Sequence, residues 1–264
     1  MIKYTELMKN RIQGKENRVP YQFGHKLTTH EFCQINKIPT PRLIESFETP
    51  DDIDFRSLPA KFVLKPSYSS TSRGVMVLED RGDTYFDSMS QKAMTALEIR
   101  EVQQAVYDGH PKANRRFTLV EEFIEDVSGI DIPEDYKFLA FQGEIGLIIK
   151  IDRTADKLVM SYFDGEFRPV LDDRVVFKSS LADLKVSAAP KNWRRMLDIA
   201  KRISTIVPSP CARIDLYDAV GGPVLGEITI TPGSFYYPNG HTLSPEENAR
   251  LGALWKDAEK RLWG

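Results

Sequence analysis

The feature that most constrains the fold is the stretch from Lys61 to Leu78, KFVLKPSYSSTSRGVMVL. It holds two short apolar runs, Phe62–Leu64 and Val75–Leu78, and runs of this kind predict buried strands. The loop between them consists mainly of small hydroxyl residues and a glycine, which let a backbone approach a ligand and offer many hydrogen-bond donors. Lys65 ends the first run. The stretch predicts a hairpin that cradles polyphosphate, or else a flexible serine loop beside a surface lysine.

Composition limits the classes of protein to which this chain can belong. Its 264 residues, 41% of them hydrophobic, suffice for one large domain or two lobes. A formal net charge of -2 gives no electrostatic reason to expect nucleic acid or an anionic membrane as the main partner. Cys33 and Cys211 make neither a metal-binding spacing nor a disulfide framework, and the histidines form no ligand motif. Without a signal peptide or a bilayer-long apolar run, we expect a cytoplasmic protein with no membrane insertion.

The rest of the chain mixes helices and hairpins without regular alternation, which favours an α+β fold over a doubly wound sheet. Residues 1–24 are polar and are predicted to be irregular. Apolar periodicity and a capping box predict helices over His25–Ile35, Gln91–Tyr107, Asn192–Val207 and from Ser244 onward. Strands are predicted at Leu43–Phe47, Phe117–Ile124, Tyr136–Phe141, Glu144–Ile151, Cys211–Val220 and Val224–Thr231. Ser161–Pro169 is predicted to be a further turn-linked pair, with Asp164 and Gly165 at its tip.

A second informative pattern is the pair of segments Arg213–Asp215 and Glu227–Thr229. Residues two apart in a strand share a face, and a turn at Gly221 brings Asp215 roughly opposite Glu227. Two converging carboxylates repel each other unless a cation lies between them, and Mg²⁺ takes carboxylate and phosphate oxygens. Isoleucines alternate with these polar residues, so the opposite face is core. The polar face is then a metal site or a plain solvent-facing surface.

Taken in order, these motifs resemble the ATP-grasp superfamily. The stretch from Lys65-Pro66-Ser67 to Ser72-Arg73-Gly74-Val75 is similar to the lysine and small-residue loop of D-alanine–D-alanine ligases. His25-Lys26-Leu27 resembles an earlier Asp-Lys-Leu whose lysine contacts phosphate, and Glu121–Ile124 resembles the adenine hinge. The arginine and the two carboxylates of the second pattern resemble the superfamily's arginine and first two metal ligands. Thr231-Pro232-Gly233 resembles the Pro-Gly that follows them.

Within the superfamily, Pro133–Phe138 and Gly226–Thr229 look most like the TupA-like group, which is associated with cell-surface polysaccharide synthesis. The resemblance covers about residues 25–240. This chain departs from the usual pattern at Thr229, where most ATP-grasp enzymes carry asparagine. It also has only a short lead before the first lysine, where a whole N-terminal domain is usual.

The resemblance implies an ATP-grasp fold in which two α+β lobes enclose ATP, preceded by a truncated N-terminal region. It divides the chain into a lead and helix at residues 1–45, a first lobe with the phosphate loop at 46–120, and a second lobe at 121–264. The second lobe would carry the hinge, the metal-binding hairpin and the C-terminal helix.

The resemblance also implies the site residues. Those expected at ATP are Lys26, Lys65, Ser70, Thr71, Ser72, Gly74, Glu121, Glu122, Phe123, Ile124 and Lys137. Those expected at Mg²⁺ are Asp215, Glu227 and Thr229. Arg213 would stabilise a tetrahedral intermediate, and Lys150 and Arg153 would contact the γ-phosphate or the substrate carboxylate, unless they are ordinary exposed strand charges. Ser234–Tyr237 would line the acceptor site or form a simple surface loop.

The implied reaction joins a small-molecule carboxylate to an amine, with ATP and Mg²⁺, through an acyl phosphate. Its setting would be cell-surface polysaccharide or secondary-metabolite biosynthesis, and a homodimer is one option for the assembly. Three alternatives stay open. They are a kinase on the same fold that phosphorylates a hydroxyl, a nucleotide-binding protein without turnover, and a structural or interaction protein that binds no nucleotide.

Overall fold

Helices and antiparallel hairpins are mixed along the chain, whose computed structural model describes residues 2–69, 72–111, 113, 115–154, 157–177, 182–236 and 241–264. The helices are α1 (Tyr4–Ile12), α2 (Lys26–Ile35), α3 (Ala96–Asp108), α4 (Trp193–Ile206) and α5 (Pro245–Trp263). The strands are β1 (Leu43–Phe47), β2 (Lys61–Pro66), β3 (Met76–Asp80), β4 (Tyr85–Asp87), β5 (Lys92–Met94), β6 (Thr118–Glu122), β7 (Asp135–Phe141), β8 (Glu144–Asp152), β9 (Val159–Phe163), β10 (Val175–Phe177), β11 (Asp183–Leu184), β12 (Ala212–Ala219), β13 (Gly222–Thr229) and β14 (His241–Leu243). In the described part of the chain, no helix combines the length and the apolar character needed to cross a membrane.

The first sheet has the strand order β1-β6-β2-β3-β4-β5, and all of its neighbouring strands are antiparallel. Phe62 and Leu64 of β2 point with Leu78 of β3 into a core that also contains Ile99 of α3. Successive strand residues point to opposite faces, so Lys65 lies on the face away from this core. The sheet thereby turns the end of β2 towards the rest of the molecule.

The second sheet has the strand order β11-β9-β8-β7-β12-β13 and is antiparallel except for the pair of β11 and β9. One face packs against α4 through residues such as Phe138 and Ile214. The other face packs against α1 and α5, where Phe141 and Cys211 join Trp255 in a second core. This second core occupies the sheet end that carries Phe141 and Cys211, and it leaves the opposite end of the same face for polar residues.

The N-terminal residues pack on the second sheet. Phe23, Cys33 and Ile38, which come from the turn before α2, from α2 and from the segment after it, belong to the core beneath α4. The Leu225 amide then donates to the Pro39 carbonyl at 2.8 Å, so this segment borders the free edge of β13 before the chain enters β1. The division at residues 45 and 120 stays a prediction.

The sequence predicts an irregular segment over residues 1–24, but the structure has helix α1 and a short 3-10 turn at Tyr21–Gly24 there. The buried residues of α1 are Tyr4, Leu7, Met8 and Arg11. They follow the i, i+3, i+4, i+7 spacing of an amphipathic helix. Because Arg11 is a charged residue, the apolar periodicity of this helix is not evident from the sequence.

The sequence also predicts that the helix after the Lys65 hairpin begins at Gln91, but α3 begins at Ala96. Thr95 is its N-cap and exchanges hydrogen bonds with Glu98, a capping box that fixes the first turn. The residues before the cap, Lys92–Met94, form the edge strand β5.

Candidate functional site

The loop between β2 and β3 is held at both ends. Ser67 is fully buried, and its hydroxyl donates to the Arg115 carbonyl at 3.3 Å and accepts from the Phe117 amide at 3.1 Å. At the other end Gly74 has a φ of +76°, which favours glycine, and Gln103 of α3 donates to its carbonyl at 2.8 Å. The loop therefore has fixed anchors on the segment that precedes β6 and on α3.

Three loop residues are predicted at the phosphates besides this glycine. Ser70 and Thr71 lie outside the described residues. Ser72 adopts a left-handed φ of +58°, and its carbonyl accepts from the Val75 amide at 3.1 Å. The loop thus closes with a tight turn just before β3.

Lys65 and Glu121 form an ion pair on the face of the first sheet that lies away from its core. The Lys65 Nζ is 2.6 Å from Oε2 of Glu121, and both side chains are largely buried. Lys65 of β2 pairs with Leu119 of β6, so Glu121 is its diagonal neighbour on the same face. The structure therefore places a cation and a carboxylate together at the end of β2, beside the loop.

Lys26 reaches the same place from α2. It is the first residue of that helix, and its Nζ donates to the Ser69 carbonyl at 2.5 Å, which ties α2 to the loop. Burial lowers the pKa of Lys26 to about 8, an effect that Glu227 opposes and Lys65 adds to. Lys26 is thus close enough to charged groups of both sheets for them to change its pKa.

The predicted hinge consists of the end of β6 and the two residues that follow it. Glu122 accepts a hydrogen bond from the Arg42 amide at 2.8 Å, and its side chain is nearly half exposed. The Phe123 ring lies beneath the ammonium of Lys61, 3.8 Å from Nζ to the ring centroid. Ile124 is half-buried. Of the two glutamates of this strand, only Glu121 is turned to Lys65.

Four predicted residues share one face of the β12–β13 hairpin. The strand pairing sets Asp215 opposite Glu227 and Arg213 opposite Thr229, which is the register expected from the sequence. The Arg213 guanidinium lies 2.7 Å from each oxygen of Asp215, 3.0 Å from the Thr229 hydroxyl and 3.6 Å from Oε2 of Glu227. Arg213 therefore contacts the other three.

A β-bulge adjoins this cluster. The register shifts between Asp215 and Leu216, and Gly226 is the additional residue of β13. A β-carbon on Gly226 would lie 2.5 Å from Cε2 of Tyr217, so the tyrosine ring packs on the glycine at van der Waals distance. The absent side chain is what lets the ring cover the backbone beside Glu227.

Lys137 and Asp135 of β7 extend the polar face. Lys137 is directly opposite Asp215, and its Nζ lies 2.5 Å from Oδ2 of Asp215 and 2.7 Å from Oδ2 of Asp135. The same Asp135 oxygen is 3.4 Å from the Arg153 guanidinium. Its other oxygen, Oδ1, is buried and has no hydrogen-bond partner among the described residues. Asp135 thus keeps one free acceptor inside a charged cluster.

The charges of this face stabilise one another. Burial disfavours the ionised form of Asp215, but Arg213 and Lys137 outweigh it and hold the pKa of Asp215 below its usual range. Burial also acts against charged Arg213, whereas Asp215 and Glu227 raise its pKa. The cluster is therefore ionised and internally neutralised, and an incoming ion has to compete with existing pairs.

Lys150 lies on the other face of the second sheet. A plain hairpin around Gln142 and Gly143 would set Lys150 opposite Asp135, on the side of Lys137. The pairing of β7 and β8 instead shifts at Gly146, which sets Lys150 opposite Tyr136. One additional residue moves all later side chains of a strand to the other face. The Lys150 Nζ accordingly pairs with Glu134 at 2.5 Å, and the structure does not bring it to Asp215.

A small cavity lies where the two lobes meet. Its lining includes Lys65 and Glu121 of the first sheet, Glu227 of the second, and Lys26 and Thr40 of the N-terminal segment. Its volume is about 10 Å³, which is room for about one water molecule. Groups from three distant parts of the sequence therefore converge on one point.

These residues fit a magnesium nucleotide. Lysines suit phosphate oxygens, while carboxylates and a hydroxyl are the hard oxygen ligands that Mg²⁺ prefers. The described residues contain no group of three His, Cys, Asp or Glu side chains placed to hold a metal ion. Asp215 and Glu227, with the Thr229 hydroxyl, would thus supply protein ligands, and phosphate oxygens would supply others. Lys137 and Arg213 now hold the Asp215 oxygens that such an ion would use.

Sequence reasoning missed Asp135 and Tyr217 as members of the cluster. Asp135 stands two residues before Lys137 in a strand, so the same-face rule could have found it. Tyr217 stands two residues after Asp215 and follows the same rule, but its contact with Gly226 depends on the bulge. The predicted acceptor segment is described up to Tyr236, and Tyr237 lies outside the described residues. Within that segment, Phe235 is buried at a φ of +65° and its ring lies 4.6 Å from the His241 ring.

Comparison with known structures identifies the fold. The D-alanine–D-alanine ligase of Bacillus anthracis, solved with ATP, has a TM-score of 0.51 and 15% identity, with 90% of this chain and 66% of that chain covered. The D-alanyl-alanine synthetase A of Vibrio cholerae O1 biovar eltor has a TM-score of 0.51 and 12% identity, with 90% and 64% covered. The RimK domain protein ATP-grasp of Sphaerobacter thermophilus has a TM-score of 0.50 and 12% identity, with 92% and 69% covered. The chain thus spans just under two thirds of the length of the first two proteins. At these identities the likeness shows the fold, and it confirms the predicted α+β ATP-grasp architecture.

Family comparison is more specific than the fold. Among curated proteins, none matches this chain. A family model described as TupA-like ATPgrasp matches residues 6–253, which is nearly the whole sequence. The match includes the strands of both sheets, both lysines at the cavity and the carboxylate hairpin. The resemblance seen in the sequence is therefore confirmed, and the chain belongs to the TupA-like ATP-grasp family.

Proposed function

We propose that this protein is an ATP- and Mg²⁺-dependent carboxylate–amine ligase. The observation that carries the proposal is the convergence of Lys26, Lys65, Glu121 and Glu227 on one cavity between the lobes. Cations for a polyphosphate and a carboxylate for a metal ion lie together there. Family membership and the likeness to a ligase solved with ATP support the same reading.

On the nucleotide side, Lys26 and Lys65 neutralise the phosphates, and Glu121 orients Lys65. The loop that ends at Ser72 and Gly74, which on the resemblance also includes Ser70 and Thr71, covers the phosphates with backbone donors. Backbone groups of residues 122–124 hold the adenine. When bound, Mg-ATP supplies the γ-phosphoryl group that activates a carboxylate as an acyl phosphate for attack by an amine.

On the metal side, Asp215 and Glu227 hold Mg²⁺, and the Thr229 hydroxyl is a weaker third ligand. Lys137, whose Nζ contacts Asp215, would hold a phosphate oxygen when the metal ion takes that carboxylate. Arg213 is placed to stabilise negative charge that develops on the reacting carboxyl group. Positioning and electrostatics suffice for phosphoryl transfer, so no protein nucleophile is required.

The wider setting belongs to the same proposal. We expect small-molecule carboxylate and amine substrates, a cytoplasmic location, and a place in cell-surface polysaccharide or secondary-metabolite biosynthesis. A homodimer is the assembly to test first. The resemblance to the TupA-like group suggests the polysaccharide setting, and the sequence charge supports the absence of a nucleic-acid partner.

The test is calorimetric titration of ATP with Mg²⁺ into the wild type and the variants Lys65→Ala and Glu227→Gln. Glu227 is preferred to the buried Asp215 because its side chain is 37% exposed, so the substitution disturbs the fold less. Lys92→Ala, on the exposed edge strand β5, is the control for loss of a lysine away from the cavity. We expect binding by the wild type and the control, and a loss of at least tenfold in affinity for both site variants.

Turnover is tested by screening carboxylate and amine pairs for ADP release. An amide product formed with ADP and phosphate supports the ligase, whereas a stable phosphoester would make the protein a kinase on the same fold. ATP binding without ADP release across the panel would favour a binding protein. Failure of the wild type to bind Mg-ATP would overturn the proposal as a whole.

A further inference from the structure

Arg11 is a fully buried arginine in the last turn of α1, outside the cavity described above. Its Nη1 donates to two main-chain carbonyls, those of Cys211 and Ile230, each at 2.7 Å. Its Nε and Nη2 form a two-pronged ion pair with Glu16 at 2.7 and 2.8 Å. The guanidinium also lies over the Trp255 ring, 4.2 Å from the centroid.

The two carbonyls belong to the metal-binding hairpin. Cys211 immediately precedes β12 and stands two residues before Arg213, while Ile230 immediately follows Thr229 at the end of β13. Because Arg213 and Thr229 are paired across the hairpin, a single nitrogen of Arg11 joins the two strands just beyond this pair. The Cys211 carbonyl also accepts from the Ser209 hydroxyl at 2.7 Å.

The orientation of the guanidinium is fixed from three sides. Glu16 holds one edge, the hairpin carbonyls hold another, and Trp255 covers one face. A planar group held in this way sets the spacing of the two carbonyls, which a flexible ammonium could not do. The two carbonyls adjoin the paired residues Arg213 and Thr229, and Arg213 contacts both Asp215 and Thr229. Mg²⁺ demands near-ideal ligand geometry, so a small shift of this end of the hairpin would weaken metal binding.

We propose that Arg11 is a positioning residue for the metal-binding end of the β12–β13 hairpin, through which α1 sets the geometry of the Mg²⁺ ligands. The inference rests on the proposed function, because it assumes that Asp215, Glu227 and Thr229 bind a metal with the nucleotide. It gives the N-terminal helix a part in the site although no residue of that helix lines the cavity.

The experiment compares Arg11→Lys with a core variant of equal stability. Arg11→Lys keeps the charge but cannot make the two carbonyl contacts and the two-pronged pair at once. Leu251→Ala or Leu251→Val removes packing from the same core without touching either carbonyl, and the one whose melting temperature matches Arg11→Lys is the control. For each protein, ADP affinity is measured by calorimetry with excess Mg²⁺ and with EDTA, together with the Mn²⁺ concentration that half-saturates the ADP complex.

We expect Arg11→Lys to raise the half-saturating Mn²⁺ concentration about tenfold or more, as removal of groups that orient metal ligands usually does. ADP affinity in EDTA should stay within about twofold of the wild type, and the Leu251 control should change neither value. Equal metal dependence in Arg11→Lys and its control would show that Arg11 only stabilises the fold, and the inference would fail.

Glu16→Gln provides a second variant if Arg11→Lys does not fold. It weakens the orientation of the guanidinium but leaves both carbonyl contacts, so we expect a smaller rise in the metal requirement in the same direction. No rise in this variant would count against the inference. If the wild type bound ADP equally well with Mg²⁺ and with EDTA, the protein would have no metal site, and the proposed function would fail as well.

Discussion

Burial lowers the pKa of Lys26 to about 8 from the ordinary lysine value of 10.5. Phosphate binds the protonated form, so nucleotide affinity should fall as the pH rises through 8. With a pKa of 8, the protonated fraction drops about tenfold between pH 7 and 9, and affinity should drop by a similar factor. ADP titrations in EDTA at pH 7, 8 and 9 measure this, and Lys26→Arg should remove the dependence.

The lowered pKa of Lys26 has the opposite effect on the free energy of unfolding as the pH rises. Since the folded pKa of Lys26 lies below the unfolded one, the unfolded state binds more protons between pH 8 and 10.5. The contribution of Lys26 to the free energy of unfolding therefore rises over this window while nucleotide affinity falls. If wild type and Lys26→Arg lost affinity in parallel from pH 7 to 9, another group would be responsible.

Lys137 acts as an internal cation between two carboxylates. Its ammonium contacts both Asp135 and Asp215, so a metal ion that approaches without a nucleotide meets a positive charge already in place. Lys137→Met removes that charge, and we expect Mn²⁺ affinity in the absence of nucleotide to rise at least tenfold, as Coulomb repulsion at a few ångströms implies. Electron paramagnetic resonance of free Mn²⁺ measures it.

Lys150→Met is the matched control for this prediction. Lys150 is buried to a similar degree on the neighbouring strand and also pairs with a carboxylate, Glu134, but it lies on the opposite face of the sheet. Removing it should leave Mn²⁺ binding unchanged. A gain of metal affinity in both variants, or in neither, would mean that the charge of Lys137 does not specifically lower metal affinity at Asp135 and Asp215.

At the scale of elements, the sequence predicts which strand residues share a face, except where a single bulged residue changes the register. Alternation along β12 and β13 and the turn at Gly221 suffice to predict that Asp215 faces Glu227. The face of Lys150 could not be predicted, because it depends on whether Gly146 is bulged. Gly146 lies so close to Leu251 and Phe141 that a β-carbon there would approach both within 2.7 Å. That packing is tertiary, and no local pattern reveals it.

The bulge at Gly226 makes the hairpin sensitive to a single methyl group. A β-carbon there would overlap the Tyr217 ring at 2.5 Å, so Gly226→Ala must displace the ring or the strand that carries Glu227. We expect a loss of about 1–3 kcal/mol in the free energy of unfolding, which is typical of overpacking. Urea denaturation measures it, and nucleotide affinity in Mg²⁺ should fall as well.

Gly221→Ala is the control in the turn of the same hairpin, where a β-carbon would meet nothing within 4 Å. Its free energy of unfolding should stay within about 0.5 kcal/mol of the wild type, as for surface substitutions in general. If the two alanine variants were equally stable, the contact between Gly226 and Tyr217 would not constrain the hairpin.

At the scale of the whole molecule, the ATP-grasp fold is predictable from a resemblance, since the lysine, the loop, the hinge and the carboxylate pair follow one another in the order that ATP-grasp proteins have. The packing of the N-terminal segment is not predictable in this way. Its burial depends on Arg11, which reads as a surface charge until its carbonyl partners from residues 200 or more positions away are known. Residues at the start of the chain thus pack on the second sheet, whose strands lie more than 100 residues further along the sequence.

This arrangement leaves the two lobes with separate cores. The first lobe is built around Phe62, Leu64 and Ile99, and the second around two larger clusters on either side of its sheet. Only a small cavity lies where their charged groups meet, and with room for about one water it admits a nucleotide only after side chains or lobes move. We therefore expect two calorimetric transitions without ligand, the lower one from the first lobe.

Binding of Mg-ADP should bring the two transition temperatures closer together, because a ligand held by both lobes stabilises each lobe. At a hundred times its dissociation constant, a ligand adds about 2.7 kcal/mol to the state that binds it. We expect the lower transition to move up by several degrees and to approach or merge with the upper one, and Lys65→Ala to weaken the shift. An upward shift of the upper transition alone would place the nucleotide on the second lobe only, and the cavity between the lobes would then not be its site.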